Sequence, residues 1–397
     1  VEHVPPILFV SCVAVLAPLF ASRTGALRIP VVVFEILLGV AIGPQGMGLV
    51  PYSGSIPYLA TMGMAFLFFL AGTEIELGTL KGRPLGLGVA SWLVSLLLAA
   101  GFAAALAGTG LITHWPVVAV ALATTALGIV VPILRDVDVL QTPLGRMTMA
   151  CGAMGEIGPI LIMSLLFTQD HGYGAQLLLV GAFILVVVGV FWASLRVRPP
   201  GLIGLLSRTM TQSGQLPIRV SLLLIAALVT LAEVFGLDLA LGAFAAGMAV
   251  GLAVRENHPE VLHHKYDAVG FGFLVPIFFI ASGIQLDVVA LVAQPRNLLL
   301  MLLYAAALLV IRGLPALFFR GSLHGRDIAA LGLYSATSLS LIVAIAHSAV
   351  ARNMMTGESA AALVGGGLIS VLVFPVIATR LLGKSTERKA PRSEAVY

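Results

Sequence analysis

The sequence predicts an all-α polytopic membrane protein of about thirteen transmembrane helices, arranged as inverted-topology repeats with two broken crossing helices. Three observations carry this. Of 397 residues, 59% are hydrophobic and only 10% charged, too few to clothe a soluble body, which usually devotes about a quarter of its residues to charge. Many apolar runs approach the roughly 20 residues that cross a bilayer, and none shows the alternation of a β-barrel. Stretches of the first half also recur, in order, in the second.

Each element is an apolar run bounded by Pro, Gly or charge. The first, 6–21, has no basic flank before it and reads as a span rather than a cleavable leader. Arg23 and Arg28 separate it from 29–45, which ends on Gly43-Pro44; 58–74 and 85–108 lie either side of Lys81 and Arg83. Next come 115–134 and 143–168, joined through Arg135, and then 174–194. The longest internal connection, 195–216, divides the chain and is too short for a domain. The second half supplies 217–236, 239–254, 267–286, 297–320, 325–350 and 357–381. Several of these runs are short or interrupted, which a lone lipid-facing helix tolerates poorly but a core built around an internal site exploits. A transmembrane unit over 1–383 and a short cytoplasmic polar tail over 384–397 are expected, with no glycine-rich nucleotide fingerprint after the membrane part.

All but three of the 22 Lys and Arg residues fall on one set of connections; Arg296 and Arg352 lie on the other, and Arg312 lies inside a span. With an odd number of spans, the positive-inside rule puts the N-terminus outside and the C-terminus in the cytoplasm. The net charge of +4 therefore reflects topology and not nucleic-acid binding. Cys12 and Cys151 lie in apolar context and suggest neither a disulfide nor a metal site, and no cofactor is expected.

The repeat is legible in three pairs. Thr125-Ala126-Leu127-Gly128-Ile129-Val130-Val131 matches Thr337-Ser338-Leu339-Ser340-Leu341-Ile342-Val343, and Phe68-Phe69-Leu70-Ala71-Gly72 matches Phe278-Phe279-Ile280-Ala281-Ser282. More weakly, Glu35-Ile36-Leu37-Leu38-Gly39 resembles Asp238-Leu239-Ala240-Leu241-Gly242. The offset spans seven helices, so the second copy enters the membrane from the opposite side. The alternative is a set of merely similar apolar helices. Thr125 and Ser338 lie mid-span in segments rich in small and hydroxyl residues, the expected crossing helices, where half-helix ends and freed carbonyls can face an ion.

An ionisable group at bilayer depth costs roughly 2.5–3.5 kcal/mol on insertion scales and points to function. Glu156 sits at the centre of 143–168, between Gly155 and Gly158, with Pro159 close behind. One carboxylate there can take either a proton or a small cation, and competition for it couples the two; the plain alternative is a permanently protonated structural acid. Arg312 cannot give up its proton, so its expected roles are to balance Glu156 or to bond the carbonyls of a broken helix. Glu35 reads as packing or an ion vestibule, Glu74 and Glu76 as interfacial, and Glu233 and Asp238 as solvated helix ends. His263 and His264 read as cytoplasmic-loop residues, either pH-sensing or ordinary surface histidines, His347 as lying near an outer helix end with no partner signal, and the Met and Phe run at 62–69 as packing.

Glu35-Ile36-Leu37-Leu38-Gly39 through Gly43-Pro44 resembles the second-helix signature of the monovalent cation:proton antiporter-2 family. Phe68-Phe69-Leu70-Ala71-Gly72-Thr73-Glu74 is similar to its "FLAGLE" segment, Leu241-Gly242-Ala243-Phe244-Ala245-Ala246-Gly247 to its "LGAFLAG" run, and Pro276-Ile277-Phe278-Phe279 through Gly283 to its "PIFFVSVG" run. With Thr142-Pro143 and the Arg312 helix, the likeness covers nearly the whole membrane part. The resemblance implies a homodimer in which a six-helix core moves against a dimerisation domain, exchanging Na+ or K+ for H+ across the bacterial inner membrane. It also implies that Glu156 stands where members carry an essential Asp, that Arg312 stands where members carry a basic residue, and that Thr125 and Ser338 lie in the crossing helices. The chain departs from the pattern at Gly155-Glu156, where members pair a polar residue with Asp. A single titrating group implies one-for-one, electroneutral exchange.

Two other transport readings compete: a Na+-coupled carrier of an organic anion, and a potassium-efflux channel controlled by a separate subunit. An intramembrane enzyme would need a nucleophile–base pair or clustered ligands, which no mid-span spacing supplies.

Overall fold

The computed structural model describes residues 6–24, 29–74, 83–167, 215–254 and 259–386, with scattered helical positions between 178 and 189. These residues form helices and no strand. In chain order they are α1 Pro6–Arg23, α2 Val31–Ile42, α3 Ile56–Glu74, α4 Arg83–Gly108, α5 Trp115–Leu122, α6 Leu127–Asp136, α7 Pro143–Leu166, α8 Leu216–Val234, α9 Leu239–Val254, α10 Pro259–Val269, α11 Val275–Gln285, α12 Val288–Ala293, α13 Pro295–Gly313, α14 Gly325–Ala336, α15 Ser340–Ala351 and α16 Gly357–Thr386. Among the described residues, ten helical stretches are long and apolar enough to cross a membrane, and 31–42 and 239–252 are shorter apolar helices. Twelve of the thirteen expected segments thus have a described helix; the thirteenth, 174–194, falls largely outside the described residues.

Where the elements differ from the expected runs, proline explains the difference. The 12-residue α2 reaches only about 18 Å, because Gly43 precedes Pro44 and takes extended backbone, φ −71° and ψ 178°. The 267–286 span begins earlier, as α10, and passes through a π-turn at Gly270–Leu274. Pro276 has no N–H for the carbonyl one turn back, and the Val275 N–H bonds Gly270 one residue further on. After Gly313 the chain tightens into a 3-10 turn, Leu314–Gly321, that contains Pro315.

The helices pack in two groups. In the first, α1 lies on α2, α2 on α11, α3 on α9 and on α11, and α8 on α9. In the second, α4 packs on α5 and α7, while α13 packs on α14 and α16. These pairings follow the sequence repeat: α2 pairs with the counterpart of α3, and α3 with the counterpart of α2. The first-group seams are made by glycine. A Cβ at Gly39 would fall on the Ile280 carbonyl, one at Gly283 on the Ile36 carbonyl, one at Gly72 on the Phe244 carbonyl and one at Gly247 on the Phe69 carbonyl. Helix backbones in lipid approach this closely only over small residues.

Polar ties join the two groups at one end of α15. Arg352, just past that helix, meets Asp238 at 2.9 Å and lies over the Phe167 ring. Asp238 is not the solvated helix end expected from sequence. It is buried, and it accepts the Ala240 N–H at 3.0 Å at the start of α9; burial raises its carboxyl above its ordinary value, with the Ala240 N–H and Arg352 opposing. His347 also has a partner after all, Gln285 at 3.0 Å, with the Tyr52 and Phe278 rings edge-on. His263 and His264 lie in helix α10 and not in a loop. Glu233 is exposed, Glu35 is buried in α2, and Glu76 lies outside the described residues.

We expect Gly72→Leu to lower the unfolding temperature of detergent-purified protein sharply, since overpacking a close seam typically costs about 1–3 kcal/mol. Gly101→Ala, on α4 with nothing within 4 Å of the added carbon, should leave it unchanged or slightly raised. Equal melting of the two variants would contradict the seam.

Candidate functional site

Each crossing helix is broken at its middle. The first stops at Leu122 and resumes at Leu127; the second stops at Ala336 and resumes at Ser340. The two non-helical stretches pass against one another. The Ala126 N–H donates to the Thr337 carbonyl at 2.9 Å, the Thr124 and Ser338 hydroxyls share a 2.5 Å hydrogen bond, and the Thr125 hydroxyl donates to the Ser335 carbonyl at 2.7 Å. Four half-helix ends therefore converge, two presenting carbonyls with partial negative charge and two presenting N–H groups with partial positive charge.

Helix α7 docks on the first break. Its start is fixed by Pro143 and by the Thr142 hydroxyl, which accepts the Gly145 N–H at 3.3 Å. Pro159 lacks the N–H that would bond the Gly155 carbonyl within the helix. That carbonyl instead accepts the Thr125 N–H at 3.0 Å. One residue on, the Glu156 carboxylate accepts the Leu127 N–H at 2.9 Å, an acid on the positive end of α6. Glu156 is 4% exposed.

Arg312, 1% exposed, knits the cluster together. It donates to the Thr125 hydroxyl at 2.6 and 3.2 Å, to the Ser335 carbonyl at 3.3 Å, to the Cys151 carbonyl at 3.2 Å and to the Ser95 hydroxyl at 3.1 Å. The guanidinium thus bonds the carbonyl end of broken helix α14, and its planar fork suits several acceptors at once. Gly155 explains the missing polar neighbour of Glu156: a Cβ there would lie 2.6 Å from the Thr125 hydroxyl and 2.7 Å from an Arg312 nitrogen.

All five residues singled out from sequence (Thr125, Gly155, Glu156, Arg312 and Ser338) therefore belong to one buried cluster. Sequence reasoning missed its braces. Ser370 on α16 accepts the Ser338 N–H at 3.1 Å and bonds the Ser338 carbonyl at 3.0 Å. Trp92 on α4 donates its indole N–H to the Ala123 carbonyl at 3.2 Å. A tryptophan mid-span carries a donor that needs a buried partner, and that was the available signal; a serine in an apolar helix gives none as clear. Among the described residues no three His, Cys, Asp or Glu side chains gather as a metal centre. The chemistry on offer is one carboxylate among hydroxyls and half-helix ends, suited to reversible capture of a proton or a weakly held cation.

The profile described as "Sodium/hydrogen exchanger, transmembrane" matches residues 11–384. The chain is 29% identical to the "Putative Na(+)/H(+) antiporter YjbQ" of Bacillus subtilis over 95% of its own length, and spans 63% of that protein. It is 26% identical to the "Probable Na(+)/H(+) antiporter 3" of Methanocaldococcus jannaschii, covering 91% of this chain and 93% of that one. The solved structure of the sodium proton antiporter MjNhaP1 from the same archaeon shares the fold, with a TM-score of 0.66 at 16% identity and 97% and 98% of the two chains covered.

Arg312→Met should lower the unfolding temperature in detergent substantially, because buried acceptors stripped of a donor cost about 1–3 kcal/mol each. Arg312→Lys, which keeps the charge but reaches fewer acceptors, should fall between it and the parent. A parent-like melting curve for Arg312→Met would remove the guanidinium from the role of brace.

Proposed function

The chain belongs to the sodium/hydrogen exchanger family, and from that premise we propose that it is a secondary active antiporter exchanging a monovalent cation for H+ by alternating access. The observation that carries the reading is the Glu156 carboxylate, buried between two broken helices and bonded to the Leu127 N–H. Protonated, Glu156 is neutral and the site holds no cation. Deprotonated, it offers a charge to Na+ or K+, with the carbonyls freed by the broken helices as further oxygen ligands; the Thr125 hydroxyl, already bonded to Arg312 and Ser335, holds the frame. Because one group serves both substrates, loading one expels the other, and an empty charged site is costly to carry across the hydrocarbon. Coupling follows from that competition.

Arg312 stays charged throughout and holds the carbonyl end of α14, so the pocket keeps its shape in both loading states. Gly155 leaves room for that guanidinium. In this reading the second helix group (α4–α7 with α13–α16) carries the site past the first (α1–α3 with α8–α11), which forms the homodimer contact in the bilayer. The unit spans 1–383, with the tail at 384–397 in the cytoplasm and the N-terminus outside the inner membrane. One carboxylate per cycle gives a one-for-one, electroneutral exchange.

In proteoliposomes with an internal pH dye, an added alkali cation should release an imposed proton gradient. Glu156→Gln should reduce this at least about 100-fold while leaving the fold intact, since the amide oxygen still accepts the Leu127 N–H. A clamped membrane potential should not alter the parent rate. Full activity of Glu156→Gln would end the proposal, and a potential-driven current would end the stoichiometry.

A further inference from the structure

Two carbonyl-bearing half-helix ends meet at the crossing, and each receives a donor from the helix that precedes its own broken helix. Helix α13 sends Arg312 to the Ser335 carbonyl of α14. Helix α4 sends Trp92 to the Ala123 carbonyl at the end of α5. The first donor is a full charge and the second a neutral dipole, so the α5 end keeps more of its negative potential. The Trp92 ring is also wedged against the Glu156 helix: its Cζ2, Cε2 and Cη2 atoms occupy the space that a Cβ at Gly158 would take. Trp92 is nearly buried, and the Ala123 carbonyl has a second lone pair that the indole leaves open.

We propose that Trp92 is a positioning residue that sets the cation affinity of the site, its indole N–H partly neutralising the Ala123 end of α5 while its ring fixes the spacing between that end and the Glu156 helix. This rests on the antiporter reading above. Removing the N–H and keeping the ring makes the site more negative. It must then bind cation more tightly, and the pH profile of exchange must shift upward. A ring serving only as packing would lower stability and maximal rate without moving either quantity.

The test pairs equilibrium binding with exchange. Radioactive Na+ binding to detergent-purified protein and proton exchange in proteoliposomes are measured from pH 6 to 10 for the parent, for Trp92→Phe, and for protein carrying benzothienylalanine at position 92. That analogue keeps the ring shape and replaces N–H by sulfur, so it remains informative if the smaller phenylalanine unsettles the fold. At the alkaline limit the dissociation constant and the apparent KM should both fall at least threefold, and the inflection of the pH profile should move upward. Unchanged Na+ affinity and inflection in the sulfur isostere overturn the proposal, as does weaker binding. Parent protein that binds Na+ without exchanging it overturns the antiporter reading alone, and the binding constants still decide the role of Trp92. Parent protein that binds neither Na+ nor radioactive Rb+, standing for K+, overturns both.

Discussion

Peptide groups released by an interrupted helix at bilayer depth have no water to turn to, and they must find partners inside the protein. The crossing point is organised by that constraint. Pro159 withholds a donor from the Gly155 carbonyl, and Thr125, freed by the break in its own helix, supplies one. Arg312 serves the Ser335 and Cys151 carbonyls, Ser370 serves Ser338, and Trp92 serves Ala123. The leading N–H of α6 is met by the one carboxylate in the cluster. The carboxylate proposed to exchange ions is thus also part of the hydrogen-bond network of the fold, and under that proposal a proton or cation arriving at Glu156 alters the polarity of a helix terminus.

The two helix groups solve different packing problems. Seams in the first are nearly featureless glycine contacts, where backbone lies on backbone at Gly39, Gly72, Gly247 and Gly283. Such contacts are rigid, because any added atom falls on a carbonyl. The second group is held at its centre by directional hydrogen bonds. Among the described residues, direct polar contacts between the groups include Asp238–Arg352 and Gln285–His347, near one end of α15.

Much of this was legible in the sequence, and the reasons differ by residue. Glu156 and Arg312 announced themselves because charge is expensive in an apolar run. Thr125 and Ser338 were found through the repeat, since two copies of one pattern mark two breaks. The stop of α2 is written in Gly43-Pro44, where the apolar run itself ends. The burial of Asp238 was not readable, because its partner Arg352 lies 114 residues away and an acid beside a turn looks solvated until that partner is known. His347 carries no partner signal for the same reason, its contacts coming from Gln285, Tyr52 and Phe278 on other elements. Periodicity reports which face of a helix is apolar; it is silent on which distant side chain meets a given polar atom.

The hollow at Gly155 reaches beyond this molecule. Thr125 and the guanidinium of Arg312 already stand where a side chain would project. A homologue bearing a polar residue there must house its basic group differently or relax the first break to make way. The two positions, 157 residues apart, therefore constrain each other sterically, and any larger residue at 155 displaces the guanidinium or the Thr125 hydroxyl.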